Sequence, residues 1–530
     1  MANDDYQYNL GSYSYKISTK HHKAQTWFNR GLVWCYAFHH EESARCFERA
    51  INEDANCAMA YWGLAFALGP NYNKPWDLFD EQELKSTIHK ISAANAKAKE
   101  LAPQTTEIEQ ALINAVQLRV PDGIDDKAFR ICNEAYALAM QAVYETFPKD
   151  LDIISLYADS IMNLSAWDLW DLKTDGACKH PGVLHQYIHL MEMSKTPEAA
   201  LVAADHLRIL VPDAGHLVHM PSHLDILVGD YRRAIASNAD ACLADEKYLA
   251  EHGGDNFYSF YRMHDYHSLI YAAMFAGQSK VALEAVGRME KSLPESLLRI
   301  QSPPMADWLE NFASVRVHVL VRFGRWKELI ALEIPTDEQL YCVTAAMIHY
   351  GKGIAYAATN DIHNAEDHRA ALVKAVERIP SSRICGDFPN RSNVVLQVGI
   401  AMLDGELEYR KGNFDLAFQH LETAIERDDA LTYAEPWPWM MPTRHAYAAL
   451  LMEQEKVEEA ASAYKADLGF DQTLPRARQH PNNLWALHGY HECLVRLGKK
   501  EEADIVSQQL VVAKAIADVE IKASCYCRNV

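Results

Sequence analysis

The stretch WFNRGLVWCYAFHHEESARCFERAINED, residues 27–54, decides the fold of this 530-residue chain. Large and small residues recur in it at helical spacing. Counted from the first of them, the offsets are 0, 4, 7, 16, 20 and 23 for Trp27, Gly31, Trp34, Ser43, Phe47 and Ala50. Spacings of three and four place side chains on one face of an α-helix. The stretch therefore predicts two helices joined by a short turn, with small residues where the helices cross.

The same pattern returns along the chain. It is clearest at Gly405, Ala417, Leu421, Ala424, Ala448, Ala460 and Tyr464, and fainter at Gly353, Tyr356 and Ala365. In the middle of the chain Ala200, Ala234 and Ala282 occupy the small crossing position. The pattern resembles the tetratricopeptide repeat (TPR), a helix–turn–helix unit of roughly 34 residues. That resemblance runs from Trp27 to Val511 and implies an all-α fold.

The resemblance implies a TPR-like α-solenoid, a right-handed superhelix of antiparallel helix pairs that can curl into a near-closed turn. We expect an N-terminal tail over residues 1–20 and a single repeat domain over residues 21–515. A C-terminal tail then covers residues 516–530.

Composition narrows the classes of partner. The formal net charge is −21 and is spread along the chain, which disfavours nucleic acids and anionic membranes. No window is apolar enough for a membrane helix, and residues 1–16 lack the apolar stretch of a secretory signal. Eleven cysteines occur without a C-x-x-C pair. We therefore expect a cytoplasmic protein without a disulfide framework.

Seven histidines and one glutamate form three clusters between Leu184 and Leu269. The clusters are His185, His189 and Glu192; His216, His219 and His223; and His264 and His267. In TPR proteins the concave surface is lined mainly by the first helix of each repeat, at its second, fifth, ninth and twelfth positions. Counting back from the three crossing alanines places all eight residues at such positions. The repeat register therefore predicts one histidine-lined surface on three consecutive first helices, with site residues within 184–269.

Imidazoles gathered in this way are typical of a transition-metal site. Nitrogen ligands favour copper, zinc or iron over magnesium and calcium, and eight candidates are too many for one ion, so one or two ions are expected. His185, His189, His219 and His223 are the leading ligands, with His216 beside them. Glu192 is a ligand or a general base. His264 and His267 complete a second ion or act as acid and base, and Asp168 is a further catalytic candidate.

A second set of side chains is predicted to face the same groove and contact a substrate. These residues are Trp167, Tyr261, Trp439, Arg444, His445 and His488. Aromatic residues at helical spacing are also typical of a core, so a structural role is the alternative for this set.

The segments AMAYWGLAFALGPN (58–71), HPGVLHQYIHLMEMS (180–194) and GHLVHMPSH (215–223) resemble a microbial subgroup of TPR proteins with an H-x-x-H-M-P-S-H motif. This resemblance strengthens the site but implies no particular reaction.

Two functions remain open from the sequence. The first is a metalloenzyme that transforms a small molecule in the histidine-lined groove, as an oxidoreductase in preference to a hydrolase because its ligands are neutral nitrogens. The alternative is a non-catalytic scaffold that binds a peptide or protein partner, or a second copy of the chain, in the groove. The histidines would then form a hydrogen-bonded polar surface or a pH-sensitive peptide site.

Overall fold

A computed structural model describes residues 6–164, 181–386 and 389–528. In these ranges the regular elements are helices, and extended pairing is limited to three isolated bridges. The prediction of an all-α fold is confirmed.

The helices up to residue 219 include two long ones of 21 residues each, α4 and α6. In chain order they are α1 (His22–Tyr36), α2 (His40–Glu53), α3 (Ala58–Leu68), α4 (Glu81–Leu101), α5 (Glu107–Val116), α6 (Asp126–Thr146), α7 (Leu151–Met162), α8 (Pro181–Glu192), α9 (Leu201–Leu207) and α10 (Gly215–His219).

The helices beyond residue 219 follow one another mostly as pairs. They are α11 (Pro221–Val228), α12 (Tyr231–His252), α13 (Ser259–Phe275), α14 (Ser279–Lys291), α15 (Glu295–Leu298), α16 (Met305–Leu309), α17 (Val315–Arg322), α18 (Trp326–Ala331), α19 (Cys342–Ala358), α20 (Ile362–Glu377), α21 (Ser392–Arg410), α22 (Phe414–Asp429), α23 (Thr443–Glu453), α24 (Val457–Asp467), α25 (Leu484–Arg496) and α26 (Lys500–Ile516). Short 3₁₀ turns cover Trp76–Leu78, Ala102–Gln104, Gln117–Arg119, Pro197–Ala200, Glu310–Ser314 and Arg476–Arg478.

A shared turn geometry identifies the repeats. Eight pairs are closed by one residue with positive φ between the two helices: Phe38, Gly229, Gly277, Gly324, Asn360, Gly412, Glu455 and Gly498. In each turn the next amide donates to a carbonyl five residues back, as in His39 N to Trp34 O and Lys499 N to Leu494 O. This bond satisfies a carbonyl at the end of the first helix. These eight helix pairs of the described chain are therefore built in one way, as the repeat pattern predicted.

In residues 27–54, the two helices pack against each other at the small residues, as the spacing predicts. Gly31 faces Phe47, and a Cβ on Gly31 would lie 2.8 Å from that ring. Ser43 Oγ donates to the Gly31 carbonyl at 2.6 Å. Near the other end of the chain, a Cβ on Gly489 would lie 2.2 Å from the ring of Tyr464. Glycine is needed at both positions because the second helix inserts a large ring where the two helices cross.

The chain forms two compact units. The first contains Met1–Ser194, Glu198–Pro221 and Asp240–Ser259, and the second contains Lys195–Pro197, Ser222–Ala239 and Phe260–Val530. The first unit begins with the pair α1–α2, and α3 packs on both of these helices.

The second unit is a run of stacked helix pairs. The pairs α19–α20, α21–α22, α23–α24 and α25–α26 each pack internally. First helices also contact the next first helix, α17 with α19, α19 with α21, and α23 with α25. Side-by-side first helices form a continuous surface in this unit, as in a solenoid.

The crossing alanines and the central histidine segment test the predicted register locally. Ala200, Ala234 and Ala282 are fully buried, in agreement with the small positions assigned to them. The segment GHLVHMPSH, however, is divided between α10, which ends at His219, and α11, which begins at Pro221. Proline has no amide hydrogen for a helical bond. His223 therefore lies in a separate helix from His216 and His219.

Two further findings concern the cysteines of the tail and the question of a membrane-spanning helix. A disulfide joins Cys525 and Cys527, two residues apart in the tail of the chain. Among the described residues, no helix has both the length and the apolar character required to cross a membrane.

Candidate functional site

Helix α8 carries the first histidine cluster on one face. His185 Nε2 lies 3.1 Å from His189 Nε2, one helical turn further on. Glu192 Oε1 lies 2.9 Å from His189 Nδ1. Offsets of four and three residues bring side chains together on a helix. The spacing predicted these contacts correctly.

A backbone carbonyl orients the ring of His185. Its Nδ1 lies 2.7 Å from the carbonyl oxygen of Tyr36, the last residue of α1. Because a carbonyl only accepts, His185 Nδ1 carries a hydrogen and donates it, which leaves Nε2 with a lone pair in the neutral ring. Carbonyls in the last turn of a helix have no partner within the helix. Sequence reasoning missed Tyr36, since a main-chain acceptor has no signature in the residue type.

Helix α10 adds two more imidazoles in the first unit. One ring nitrogen from each of His185, His189 and His216 lies within 4.8 Å of the other two. The rings of His185 and His216 are 5.0 Å apart and nearly perpendicular. His219 stacks on His216 at 5.6 Å. With Glu192, five of the eight predicted residues lie together here.

An aromatic ring packs against these imidazoles. The ring of Phe38 lies 4.4 Å from that of His185, 6.2 Å from His189 and 5.7 Å from His216. Phe38 has a φ of 55°, at a turn position that glycine usually occupies. A side chain in this backbone conformation costs roughly 1–2 kcal/mol, which the surrounding contacts must offset. Sequence analysis gave Phe38 no role because its importance depends on this packing.

The first-unit cluster is buried, whereas the sequence predicted side chains that line an open groove. His185, His189 and His216 are each 1% exposed, and Glu192 is 0% exposed. A narrow pocket in the first unit nevertheless reaches His185, between Tyr36, Phe38 and Gly182. Phe38 is one of the side chains packed against these rings.

The second unit contains the other three predicted residues, with a carboxylate beside them. His223 Nδ1 lies 3.2 Å from Glu435 Oε2, and its ring is 6.0 Å from that of His264. His267 packs edge-on against Phe312 at 5.5 Å. Sequence analysis missed Glu435, because a single glutamate far along the chain shows no spacing relation to the histidines.

Burial keeps His267 neutral. Loss of hydration, together with the charges of His264 and His318, lowers the pKa of His267 to about 3. A neutral imidazole is the form that binds a metal or accepts a proton. The roles of His219, His223, His264 and His267 as ligands or acid–base groups remain predictions.

Among the predicted substrate residues, Trp439 and His445 line one pocket of the second unit. Trp167 and Asp168 lie outside the described residues. Tyr261 is buried and packs against Phe260 at 5.6 Å. The pKa of His488 is lowered mainly by burial, and its ring contacts the backbone of Lys522.

Two others have structural partners in the second unit. Trp439 is buried between His318, at 4.8 Å, and Tyr350, at 5.2 Å. Arg444 pairs through both terminal nitrogens with Asp429, at 2.7 and 2.6 Å. The core alternative accounts for the tryptophan, because aromatic residues at helical spacing most often fill a core.

The last of the set, His445, belongs to a closed polar network. Arg322 Nη2 donates to His445 Nδ1 at 3.0 Å, and His445 Nε2 donates to Asp467 Oδ2 at 2.8 Å. Asp467 also accepts from His480 Nδ1 at 2.8 Å and from Asn483 Nδ2 at 3.0 Å. Burial lowers the pKa of His445 to about 4, and the imidazoles of His445 and His480 lower the pKa of Asp467.

The C-terminal residues 517–528, which we call the tail segment, lie against the first helices of the second unit. Arg322 Nη1 donates to the carbonyl of Ser524 at 3.0 Å, and Arg410 Nη2 donates to the carbonyl of Cys527. These arginines end α17 and α21. The tail segment is therefore held partly through its main chain.

Alternate side chains of the tail segment have specific partners. Ser524 Oγ donates to the His445 carbonyl at 2.8 Å and lies 2.5 Å from Tyr464 Oη. Tyr526 packs at 6.0 Å from the ring of Trp485. The backbone turns within this stretch, where the Arg528 amide donates to the Cys525 carbonyl at 3.2 Å. The surface that binds the tail segment, which we call the tail groove, contains Arg322, Arg410, His445, Tyr464, Trp485 and Glu492.

Ionic contacts hold both ends of the tail segment. Arg528 donates two hydrogen bonds to Glu492, at 2.7 and 2.9 Å. At the other end, Asp518 accepts from the amides of Ser279 and Lys280, at 2.7 and 2.9 Å, and so caps α14. An open pocket remains beside residues 524–527, lined by Tyr350, Met402, Glu406 and other side chains of the same unit.

Comparisons with known proteins were made at the level of sequence and of structure. No protein-family model matches this chain, and no curated protein matches it. Structurally, the chain is similar to the Naa15/Naa10 complex bound to HypK-THB (13% identity, 92% of this chain and 70% of that one, TM-score 0.22). It is also similar to Ypp1 (11%, 95% and 66%, 0.38) and to the P58(IPK) TPR domain (12%, 84% and 98%, 0.19).

These TM-scores are low, so the fold assignment rests on the chain's own helix pairs and on their common turn. On that geometry the chain is a TPR-like helical-repeat protein.

Proposed function

We propose that this chain is a helical-repeat scaffold that binds a short peptide of a protein partner in the tail groove. The observation that carries the proposal is the tail segment itself, a stretch of bends and turns held by both its main chain and its side chains. Scaffold function was the alternative from the sequence. The histidines assigned there to a small-molecule groove are buried, so peptide binding accounts for more of the geometry than the metalloenzyme does.

The contacts of the tail groove suit a peptide ligand. Arg322 and Arg410 donate to main-chain carbonyls, which every peptide has. Hydrogen bonds to the main chain supply affinity, and contacts with particular side chains supply specificity. The network through Asp467 orients Arg322 and His445 before a ligand arrives, which reduces the entropy lost on binding.

The side-chain contacts define the chemistry of the partner peptide. A small hydroxyl residue fits between Tyr464 and the His445 carbonyl, and an aromatic ring fits beside Trp485. A basic residue fits Glu492. The proposed ligand therefore carries a hydroxyl residue, an aromatic residue and a basic residue at alternate positions, in the order of Ser524, Tyr526 and Arg528.

The tail segment competes with such a ligand. A short tether gives an intramolecular ligand an effective concentration on the order of millimolar. A partner peptide must therefore bind more tightly than the tail segment or act when the tail is displaced. Weakening the tail segment should expose the groove without changing it.

Fluorescence anisotropy with a labelled peptide tests this proposal. The peptide carries residues 517–528 with serine in place of Cys525 and Cys527. It is added to the unchanged chain and to a Tyr526→Ala, Arg528→Glu variant. We expect at least tenfold tighter binding to the variant, because its own tail competes less.

Two further variants in the same weakened-tail background make the result specific. Arg322→Ala should abolish binding because the guanidinium that donates to the peptide carbonyl is lost. Arg299→Ala, which removes an exposed pair with Asp337, should leave it unchanged. The proposal is wrong if hydrogen exchange shows that the tail is released and the peptide still does not bind.

A further inference from the structure

We propose that His185, His189 and His216 bind one divalent transition-metal ion within the first unit. These three imidazoles come from α8 and α10, and one nitrogen of each lies within 4.8 Å of the others. The site is separate from the tail groove and shares no residue with it. Its existence does not depend on peptide binding.

The direction of each hydrogen bond carries the inference. His185 Nδ1 donates to the Tyr36 carbonyl, and the Glu192 carboxylate accepts from His189 Nδ1. In neutral rings each Nε2 then presents a lone pair. These two Nε2 atoms face each other at 3.1 Å. A cation placed beside both nitrogens can accept the two lone pairs together.

A metal ion satisfies this arrangement better than a proton does. A shared proton joins two nitrogens, whereas a metal ion also accepts the nearby nitrogen of His216. Two nitrogens bound at about 2.0–2.1 Å to a tetrahedral ion are about 3.3 Å apart, close to the observed separation of 3.1 Å. Only a small shift of the His185 and His189 rings is needed.

The surroundings of the imidazoles match those of metal ligands. Histidine ligands usually donate their second nitrogen to a carbonyl or a carboxylate, which fixes the tautomer and raises the basicity of the ligand. His185 donates to a carbonyl and His189 to a carboxylate, as this rule requires. The charge of Glu192, fully buried, also offsets part of the charge of a bound cation.

The ring of Phe38 provides an apolar cover for the ion. It contacts all three imidazole rings and is held in a left-handed backbone conformation. An apolar cover excludes water and strengthens the interaction of an ion with its ligands. A narrow pocket lined by Tyr36 and Gly182 lies beside His185.

The donor set selects the metal. Three neutral nitrogens favour zinc, copper or another late transition metal over calcium and magnesium, which require oxygen ligands. With three protein ligands, one coordination position remains for a further group. We therefore expect Zn²⁺ to bind and Mg²⁺ not to compete.

The test uses the full chain, purified without a histidine tag and dialysed against a chelator. Zn²⁺ is titrated by calorimetry, and Co²⁺ serves as a spectroscopic probe. We expect one equivalent to bind, with visible d–d absorption from Co²⁺ and a higher melting temperature with Zn²⁺. Binding should be at least 100-fold weaker in His189→Gln.

A matched control separates this site from ordinary imidazole pairs. His349 and His368, in the second unit, also face each other, with their Nδ1 atoms 2.9 Å apart, but neither is fully buried. His349→Gln should bind Zn²⁺ like the unchanged chain. Equal affinity in His189→Gln and His349→Gln would overturn the proposal, as would absence of stoichiometric binding to the unchanged chain.

A second variant keeps the test decisive if His189→Gln fails to fold, as judged by circular dichroism. Glu192→Gln retains the volume and a hydrogen-bond acceptor but removes the charge. It should weaken Zn²⁺ binding about 10- to 100-fold, as expected when the partner of a metal ligand is altered. Unchanged affinity in Glu192→Gln would contradict the assigned geometry. Loss of peptide binding to the tail groove would leave this result unaffected.

Discussion

The histidines of the two units have opposite electrostatic requirements. In the second unit, His445 accepts from Arg322 and donates to Asp467, so both of its nitrogens have complementary partners. In the first unit, His185 and His189 each donate from one nitrogen and face each other with the remaining lone pairs. A closed network stabilises the fold by itself, whereas the facing nitrogens are the ones that we propose to bind a cation. Clustered histidines therefore indicate a metal only where their hydrogen bonds leave lone pairs converging.

The largest expected effect tests the closed network. Asp467→Ala leaves the donors of His445, His480 and Asn483 without their acceptor in a buried site. Breaking one partner of such a buried network costs about 3–5 kcal/mol. Urea unfolding should show this loss, while Asp504→Ala, on the exposed face of α26, should change stability by less than about 0.5 kcal/mol. A stable Asp467→Ala variant would show that the network is dispensable.

A first-unit substitution should behave differently. In chelator-treated protein, His185→Phe should lower stability by no more than about 1.5 kcal/mol, because a ring of similar volume replaces one of two repelling imidazoles. The unchanged chain should gain stability from added Zn²⁺, and the variant should gain none. Both quantities come from thermal melts with and without Zn²⁺. A loss in metal-free His185→Phe as large as that in Asp467→Ala would remove the contrast between the units.

A smaller effect is expected from the tail segment. Tyr526→Ala removes the ring that packs on Trp485 and on the backbone of Gly324. We expect local opening to become easier by about 1–2 kcal/mol, so that trypsin cleaves after Lys522 about tenfold faster. Mass spectrometry of timed digests measures this rate. Tyr447→Ala, which removes a ring packed on Phe418 outside the tail groove, should not change it.

The last prediction concerns acid. Burial lowers the pKa of His318 to about 3 and that of His445 to about 4, so both are neutral when folded at pH 5. In the unfolded chain they take up protons below about pH 6.5. Stability is therefore lost as the pH falls from about 6.5 toward 4. Melting temperatures from pH 7.5 to 5 should fall, and less steeply in His318→Phe; an identical slope would refute this assignment.

Particular residues show which contacts could be predicted from the sequence and which could not. Spacing was sufficient for Gly31 against Phe47, and for His185, His189 and Glu192, because those contacts are set by one or two helices. Spacing was insufficient to predict the residues that contact these histidines from elsewhere in the chain. Tyr36 contributes a carbonyl, Phe38 a ring in an unusual backbone conformation, and Glu435 comes from a distant loop. None of these leaves a periodic signal.

The sequence by itself determined the helical repeat and the pairing of histidines along α8, because both depend on the 3.6-residue period of the helix. Tertiary structure alone decided which imidazole nitrogens carry hydrogen, since that depends on the carbonyl or carboxylate packed against each ring. It also decided that the tail segment occupies the groove of the second unit. Contacts between residues hundreds of positions apart depend on the packing of whole helices, and no local pattern encodes them.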